Sequence, residues 1–242
     1  MKIILSSAKT MREDPSPACT DLPVFADEAE HLLAKLRALT PQQRKKFWGC
    51  SDKLAAANDE ILFQTDLRKD LTPAYACFEG TVFRHADFRS LSGTAKEYMQ
   101  EHVRILSGLY GILKPYDGIR SYRLEMGSSF SDGSMYAYWQ DRICAQLHGE
   151  IIVDLASKEY AQAVSRYLRE GDRYITVTFK QMKNGRPVVQ ATASKAARGD
   201  MARWICERGI TDPEELKEFR NGYTYEESLS SADEFVFMKG QL

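Results

Sequence analysis

The sequence predicts an α/β protein folded as one compact domain over residues 1–242, and three features carry that expectation. Two short apolar runs, Ile3-Ile4-Leu5 and Ile151-Ile152-Val153, each pass straight into a small polar turn, the pattern of buried strands feeding loops at a sheet edge. Between them, apolar residues recur at helical spacing in segment after segment. Further on, two β-rich runs flank an Asn-Gly pair. No Pro/Gly/Ser-rich tract, long charge block or internal repeat divides the chain, and 43% hydrophobic residues are enough for a substantial core.

Taken in order, residues 2–5 form a buried strand whose polar loop Ser6-Ser7-Ala8-Lys9-Thr10 stands where open α/β sheets bind ligands. Lys9 and Thr10 suit an anion there, although a surface lysine before a turn is equally ordinary. Phe25, Ala29, Leu32, Leu33, Leu36 and Leu39 give one face of a helix over 25–39. Thr40-Pro41 supplies an N-cap and first-turn proline for a helix through Trp48, and Ser51 caps a third helix through Leu62. The pair joined at Gly49-Cys50-Ser51 is a helix-hairpin-helix candidate with Lys45, Lys46 and Lys53 around its turn. A purely structural hairpin fits as well, because the turn lacks Gly-x-Gly.

Thr72-Pro73 opens a further helix ending near Gly80, and Thr94 caps one running through Ile105. Leu106–Asp117 then holds Gly108 and Gly111 between apolar neighbours, a tight turn in which a side chain would obstruct something. Just beyond, Arg123 and Glu125 alternate with Leu124 and Met126, placing the charges on one face and the apolar residues on the other. Residues 128–134 are a surface loop, followed by a helix around Trp139, Ile143 and Leu147.

Residues 150–154 form the second buried strand, and Ala156-Ser157 leads into a helix through Leu168, with Ser157 and Tyr160 at its mouth. Ser157 reads equally well as an N-cap. Tyr174–Phe179 and Pro187–Thr192 flank Lys183-Asn184-Gly185-Arg186, a β-hairpin whose Asn-Gly suits a turn of positive φ. Ser194 caps a helix over Lys195–Glu207 stopped by Gly209, on which Lys195 and Arg198 project together near the N-terminus. Asp212-Pro213 starts a short acidic helix, and Phe235-Val236-Phe237 is a last strand.

The net charge of −1 conceals an uneven distribution. Seven basic residues between Lys180 and Arg208 face only Asp200 and Glu207, whereas residues 212–234 are predominantly acidic, so a local basic face is compatible with a neutral total. Five scattered cysteines without a Cys-x-x-Cys pair point to a reducing compartment, and no run nears the roughly 20 apolar residues of a membrane span. The expectation is a soluble cytoplasmic protein with no membrane segment. Four His and five Cys show no ligand spacing, so neither a metal site nor a cofactor is expected and any effect on iron is indirect.

Five segments in order, Met1–Met11, Ser51–Ala55, Leu106–Asp117 with Tyr122–Gly127, Asp154–Tyr160 and Lys195–Gly199, together resemble the YaaA family, named for a peroxide-stress protein of bacteria. The chain differs from the family pattern in having Ser7 for a usual proline and Asp154 where Asn is frequent. The resemblance implies a mixed α+β fold, a mixed sheet surrounded by helices with a basic cleft and a helix-hairpin-helix. It also implies binding of double-stranded or branched DNA in that cleft and a role in limiting iron-driven oxidative damage. The residues mapped to phosphate are Lys9, Thr10, Lys53, Arg123, Ser157, Lys195 and Arg198.

Two other functions remain open at this level. One is an enzyme acting on a nucleotide, nucleic acid or other phosphorylated substrate, with Glu125, Lys9 and Tyr160 as catalytic candidates and Glu125 as general acid or base. No nucleophile-base-orienter set supports it, and a Glu beside an Arg commonly forms a salt bridge. The other is a protein that works through protein partners, with its glycines and charges serving the fold.

Overall fold

The architecture, described for residues 1–240 of a computed structural model, is an eight-stranded, mostly parallel mixed sheet flanked by helices. Strand β1 (Lys2–Ser6) comes first, followed by α1 (Ala26–Ala38), α2 (Pro41–Trp48) and α3 (Asp52–Gln64). All four follow the sequence pattern. Thr40 caps α2 through a complete capping box with Gln43, and Gly49 ends it at φ +56, a left-handed position that favours glycine. Both helices of the candidate hairpin, α2 and α3, therefore form, but Ser51 stands at the α3 N-cap without a side-chain hydrogen bond to it.

Next come β2 (Thr72–Pro73), α4 (Ala74–Cys77), α5 (Thr81–Ala86) and α6 (Gly93–His102). Thr72-Pro73 does not open a helix reaching Gly80. It pairs with Gly118-Ile119, and only one helical turn follows before the chain restarts at Thr81. Likewise α6, capped by Ser92 rather than Thr94, stops at His102. Val103–Ser107 is β3, because Val103, Ile105 and Leu106 are fully buried beside β1, and tertiary pairing overrides a helical pattern that spans the junction.

The glycine stretch turns β3 back into antiparallel β4 (Gly111–Leu113), and β5 (Gly118–Ile119) follows. A Cβ on Gly108 would lie 2.4 Å from the carbonyl oxygen of Leu124, so the obstruction expected there is the backbone of the Arg123–Glu125 segment itself. Along that segment Tyr122, Leu124 and Met126 are buried and Arg123 and Glu125 half-buried, yet no strand among the described residues pairs with it. The predicted alternation holds without a ladder.

Residues 128–134 carry the small ladder β6 (Ser129–Phe130) and β7 (Gly133–Ser134). The helix expected around Trp139 is two pieces, α7 (Met135–Trp139) and α8 (Arg142–Ala145), interrupted at Gln140 with φ +48. Strand β8 (Ile151–Asp154) and helix α9 (Lys158–Ser165) follow, α9 ending a turn before Leu168. The hairpin pairs β9 (Arg173–Lys183) with β10 (Arg186–Val188) through Asn184 and Gly185 at positive φ. Its second arm is shorter than expected, because Ala191 already begins α10 (Ala191–Arg208). Ser194 consequently lies inside α10, buried, and does not cap it. A 3₁₀ turn (Pro213–Glu218), β11 (Tyr223–Tyr225) and β12 (Glu234–Lys239) complete the fold.

The strand order is β11-β12-β9-β8-β1-β3-β4, with β10 on β9. Pairs β12–β9, β9–β8, β8–β1 and β1–β3 are parallel. Ile3, Ile4 and Leu5 are wholly buried, as expected for a central parallel strand covered on both faces. The chain leaves β1 for β3 on one side, then crosses to β8 on the other. The two directions of progression part between β1 and β8, and in open α/β sheets a crevice opens at the carboxyl end of such a switch point.

Gly108→Ala is expected to lower stability by about 3 kcal/mol through overpacking against Leu124. Gly93→Ala, where nothing lies within 4 Å, should change it by no more than about 1 kcal/mol in the favourable direction. Urea unfolding of both variants checks the contrast; similar midpoints would contradict the close approach.

Candidate functional site: a cleft at the switch point

A cleft of about 630 Å³ opens at the carboxyl ends of β1 and β8. Its walls are the Ser6–Thr10 loop, the start of α5 from Gly80 to Phe83, the start of α9 from Ser157 to Tyr160, and Glu125, Lys195 and Arg198. Of the residues expected to bind phosphate, Lys9, Thr10, Ser157, Lys195 and Arg198 line this cleft together. Arg123 lines two adjoining hollows, one shared with Lys9 and Tyr160 and one of about 260 Å³ reaching Gly49 at the hairpin turn. Lys53 does not join them: it stands exposed on the first turn of α3 and lines none of these walls.

Ser6 fastens the two sheet-edge loops. Its Oγ accepts the Ser157 amide at 2.8 Å and donates to Ser157 Oγ at 3.1 Å. Ser157 occupies the N-cap position of α9, but its hydroxyl is engaged with Ser6 and caps none of the helix amides. The first-turn N–H groups of α9 thus face the cleft without a side-chain cap, at the end of the helix whose dipole favours an anion. Gly80 closes the opposite wall so tightly that a Cβ there would stand 2.7 Å from the Cβ of Ala8.

Glu125 is held on both oxygens. Lys9 Nζ lies 2.6 Å from Oε2 and Arg123 lies 2.8 Å from Oε1, while the Arg123 carbonyl accepts Trp48 Nε1 at 2.9 Å. Held by two cations, this carboxylate ties the Ser6–Thr10 loop to the Arg123 segment, and the triad keeps a net positive charge. Tyr160 is buried, and that burial pushes its phenol up to about 12, with Glu159 and Glu125 adding and the Ser7 hydroxyl opposing. At neutral pH Tyr160 is therefore an O–H donor and not a phenolate base.

The cations on the other wall are differently placed. Lys158, Lys195 and Arg198 have no carboxylate within ion-pair distance among the described residues. Arg198 is largely desolvated, its Nε is buried without a hydrogen-bond partner, and burial lowers its pKa although nearby Asp154 opposes the effect. Asp154 is itself buried and pushed up to about 6 by desolvation, held back by the Ala156 amide on Oδ1 at 2.7 Å, by Tyr174 and by Arg198. It is not an exposed carboxylate that would repel an anion from the cleft.

Lys158, Glu159 and the Gly80–Phe83 wall were not singled out by sequence reasoning. Lys158 carried a usable signal, since it directly follows a Ser N-cap after a buried strand. The α5 wall carried none. Away from the cleft, the structure gathers Cys144, His148 and Asp172 with ligand atoms within 4.8 Å of one another, a cluster that sequence spacing did not show. No helix among the described residues is long and apolar enough to cross a membrane.

Because its pKa is higher folded than unfolded, the Asp154 carboxyl favours the folded state most below about pH 4, and that advantage is lost as pH rises through about 6. Asp154→Asn keeps the acceptor for Ala156 and removes the charge. Its stability relative to wild type should rise by about 2 kcal/mol between about pH 4 and pH 8 in urea unfolding. A difference independent of pH would contradict the burial argument.

Known proteins match the sequence along nearly its whole length. The family model described as peroxide stress protein YaaA matches residues 1–229. A UPF0246 protein of Ligilactobacillus salivarius is 41% identical over 246 residues, covering 99% of this chain and 100% of that protein. A UPF0246 protein of Agathobacter rectalis is 38% identical, with 98% of both chains covered, and one of Lachnoclostridium phytofermentans is 38% identical, with 100% of this chain and 97% of that protein covered. Matches of this extent establish that the chain belongs to the family of the peroxide stress protein YaaA.

Proposed function

We propose that this chain serves the peroxide stress response by holding DNA through its phosphates in the switch-point cleft, and that this binding limits iron-driven oxidative damage. The observation that carries the reading is the unpaired cation set, with Arg198 presenting a buried, unpartnered Nε beside Lys195. A guanidinium in low dielectric that no carboxylate pairs directly, with only the buried Asp154 acting on it from nearby, attracts phosphate more strongly than a solvated surface cation does. The α9 amides and Thr10 add neutral donors, and the hollow beside Arg123 continues the path toward Gly49 at the α2–α3 hairpin. Such contacts are to backbone phosphate and carry little base preference. The net charge of −1 is no obstacle, since the field that a ligand meets is local.

A second reading, an enzyme acting on a nucleotide, nucleic acid or other phosphorylated substrate, is favoured by one feature, the cleft volume of about 630 Å³. That lies within the roughly 300–1,000 Å³ of small-ligand sites. In it Lys9, Arg198 and Lys195 would neutralise charge and Tyr160 would donate a proton or hydrogen bond, with Glu125 holding Lys9 in place.

Fluorescence anisotropy with labelled duplex, branched and single-stranded DNA across a salt series tests the first reading. Lys195→Ala/Arg198→Ala should weaken binding at least about tenfold and reduce the slope of log affinity against log salt by about 1.8 for duplex DNA. Absence of binding by the folded wild type at low salt would overturn it. Turnover of a phosphorylated substrate that is lost in Glu125→Gln while binding persists would favour the second.

A further inference from the structure

At the end of the sheet opposite the cleft, β8 and β9 begin at Ile151 and Arg173, and the turns preceding them bring His148 and Asp172 together. His148 Nδ1 and Asp172 Oδ2 are 2.9 Å apart. The same carboxylate accepts the Arg169 amide at 2.8 Å, which fixes the turn entering β9. Cys144, fully buried on α8 four residues before His148, completes the group.

Hydrogen bonding within the turns accounts for Asp172 and for His148 Nδ1, but not for His148 Nε2 or Cys144. Among the described residues His148 Nε2 is buried with no hydrogen-bond partner, so the imidazole is only half satisfied by the protein. Cys144 is a free thiol held away from solvent. Among the described residues its surroundings are anionic on balance, with the charges of Asp172 and Asp141 acting on it against that of Arg169.

We propose that Cys144, His148 and Asp172 form a binding site for one divalent transition-metal ion of the zinc class. Mixed sulfur, nitrogen and oxygen donors select borderline ions over Mg²⁺ or Ca²⁺. An ion at about 2.0–2.3 Å from each of three ligands holds them about 3–4 Å apart, so donors already within 4.8 Å need to close by only about 1 Å. The fourth position of a tetrahedral site is left for water. Binding exchanges the Cys144 S–H bond for a sulfur–metal bond and releases one proton to solvent. The partly exposed edge of His148, 17% accessible, offers the way in.

The test is titration of the reduced, chelator-treated full chain with Co²⁺. The site predicts uptake of one equivalent with a thiolate-to-cobalt charge-transfer band in the near ultraviolet. The band should disappear in Cys144→Ser, persist in Cys50→Ser, and require at least about tenfold more metal in His148→Gln. Should Cys144→Ser unfold, the Zn²⁺-induced rise in the wild-type melting temperature decides instead, and it should be lost in a folded Asp172→Asn. A band that survives Cys144→Ser, no stoichiometric uptake, or an equal Zn²⁺ effect on wild type and Asp172→Asn would overturn the assignment.

Discussion

The bond between Ser6 and Ser157 stands at the point on which the rest of the molecule turns. Strand β1 is paired in parallel on both edges, so neither edge can accept a further strand, and its chain leaves the sheet at Ser6. Its two neighbours are reached by connections of opposite sense, which part at that place. Left alone, the two diverging loops would splay; the Ser6 hydroxyl, bonded to the Ser157 amide and hydroxyl, holds them at a fixed separation. The cleft is the space that this constraint defines, and the loops that line it inherit their spacing from the sheet register.

Charge is divided across that space in a way the total conceals. On one wall Lys9 and Arg123 share the single carboxylate of Glu125, an ion triad of net positive charge beside the close approach of Gly108 to the Leu124 backbone. On the other wall Lys158, Lys195 and Arg198 line the cleft with no carboxylate in ion-pair distance among the described residues. Asp154, buried beneath Arg198 with a raised pKa, tempers that guanidinium without pairing to it. The opposite sheet edge has the reverse character, with a buried thiol among carboxylates. Two edges of one sheet thus present surroundings suited to an anion and to a cation.

Much of this was legible because local chemistry and tertiary demand agreed. The Ile3–Leu5 strand, the Thr40-Pro41 capped helix, the Asn184-Gly185 turn and the Gly209 stop each carry a residue whose conformational preference admits few alternatives. Lys195 and Arg198 were readable as a pair because helical spacing alone puts them together. The misread elements are those where a pattern crosses a boundary set from outside. Met99, Val103 and Leu106 fit a helix until the pairing of Val103 with Ile3 claims them for the sheet. Thr72-Pro73 looks like a helix start but is taken by a strand pair with Gly118-Ile119. Ser194 has the chemistry of a cap but lies a turn inside α10. The α5 wall and the meeting of Cys144 with Asp172 depend on distant segments, which no local spacing encodes. The clamp on Glu125 was foreseen only as a generic salt bridge.

Hydrogen–deuterium exchange of the full chain with and without saturating duplex DNA tests most directly whether the switch-point cleft is where phosphate is held. Slowed exchange concentrated at residues 6–10, 155–160 and 195–198, with the amides at the start of α9 among those most protected, is the result this structure predicts. Protection confined to the exposed face of α3 around Lys53, with those three segments unchanged, would contradict it.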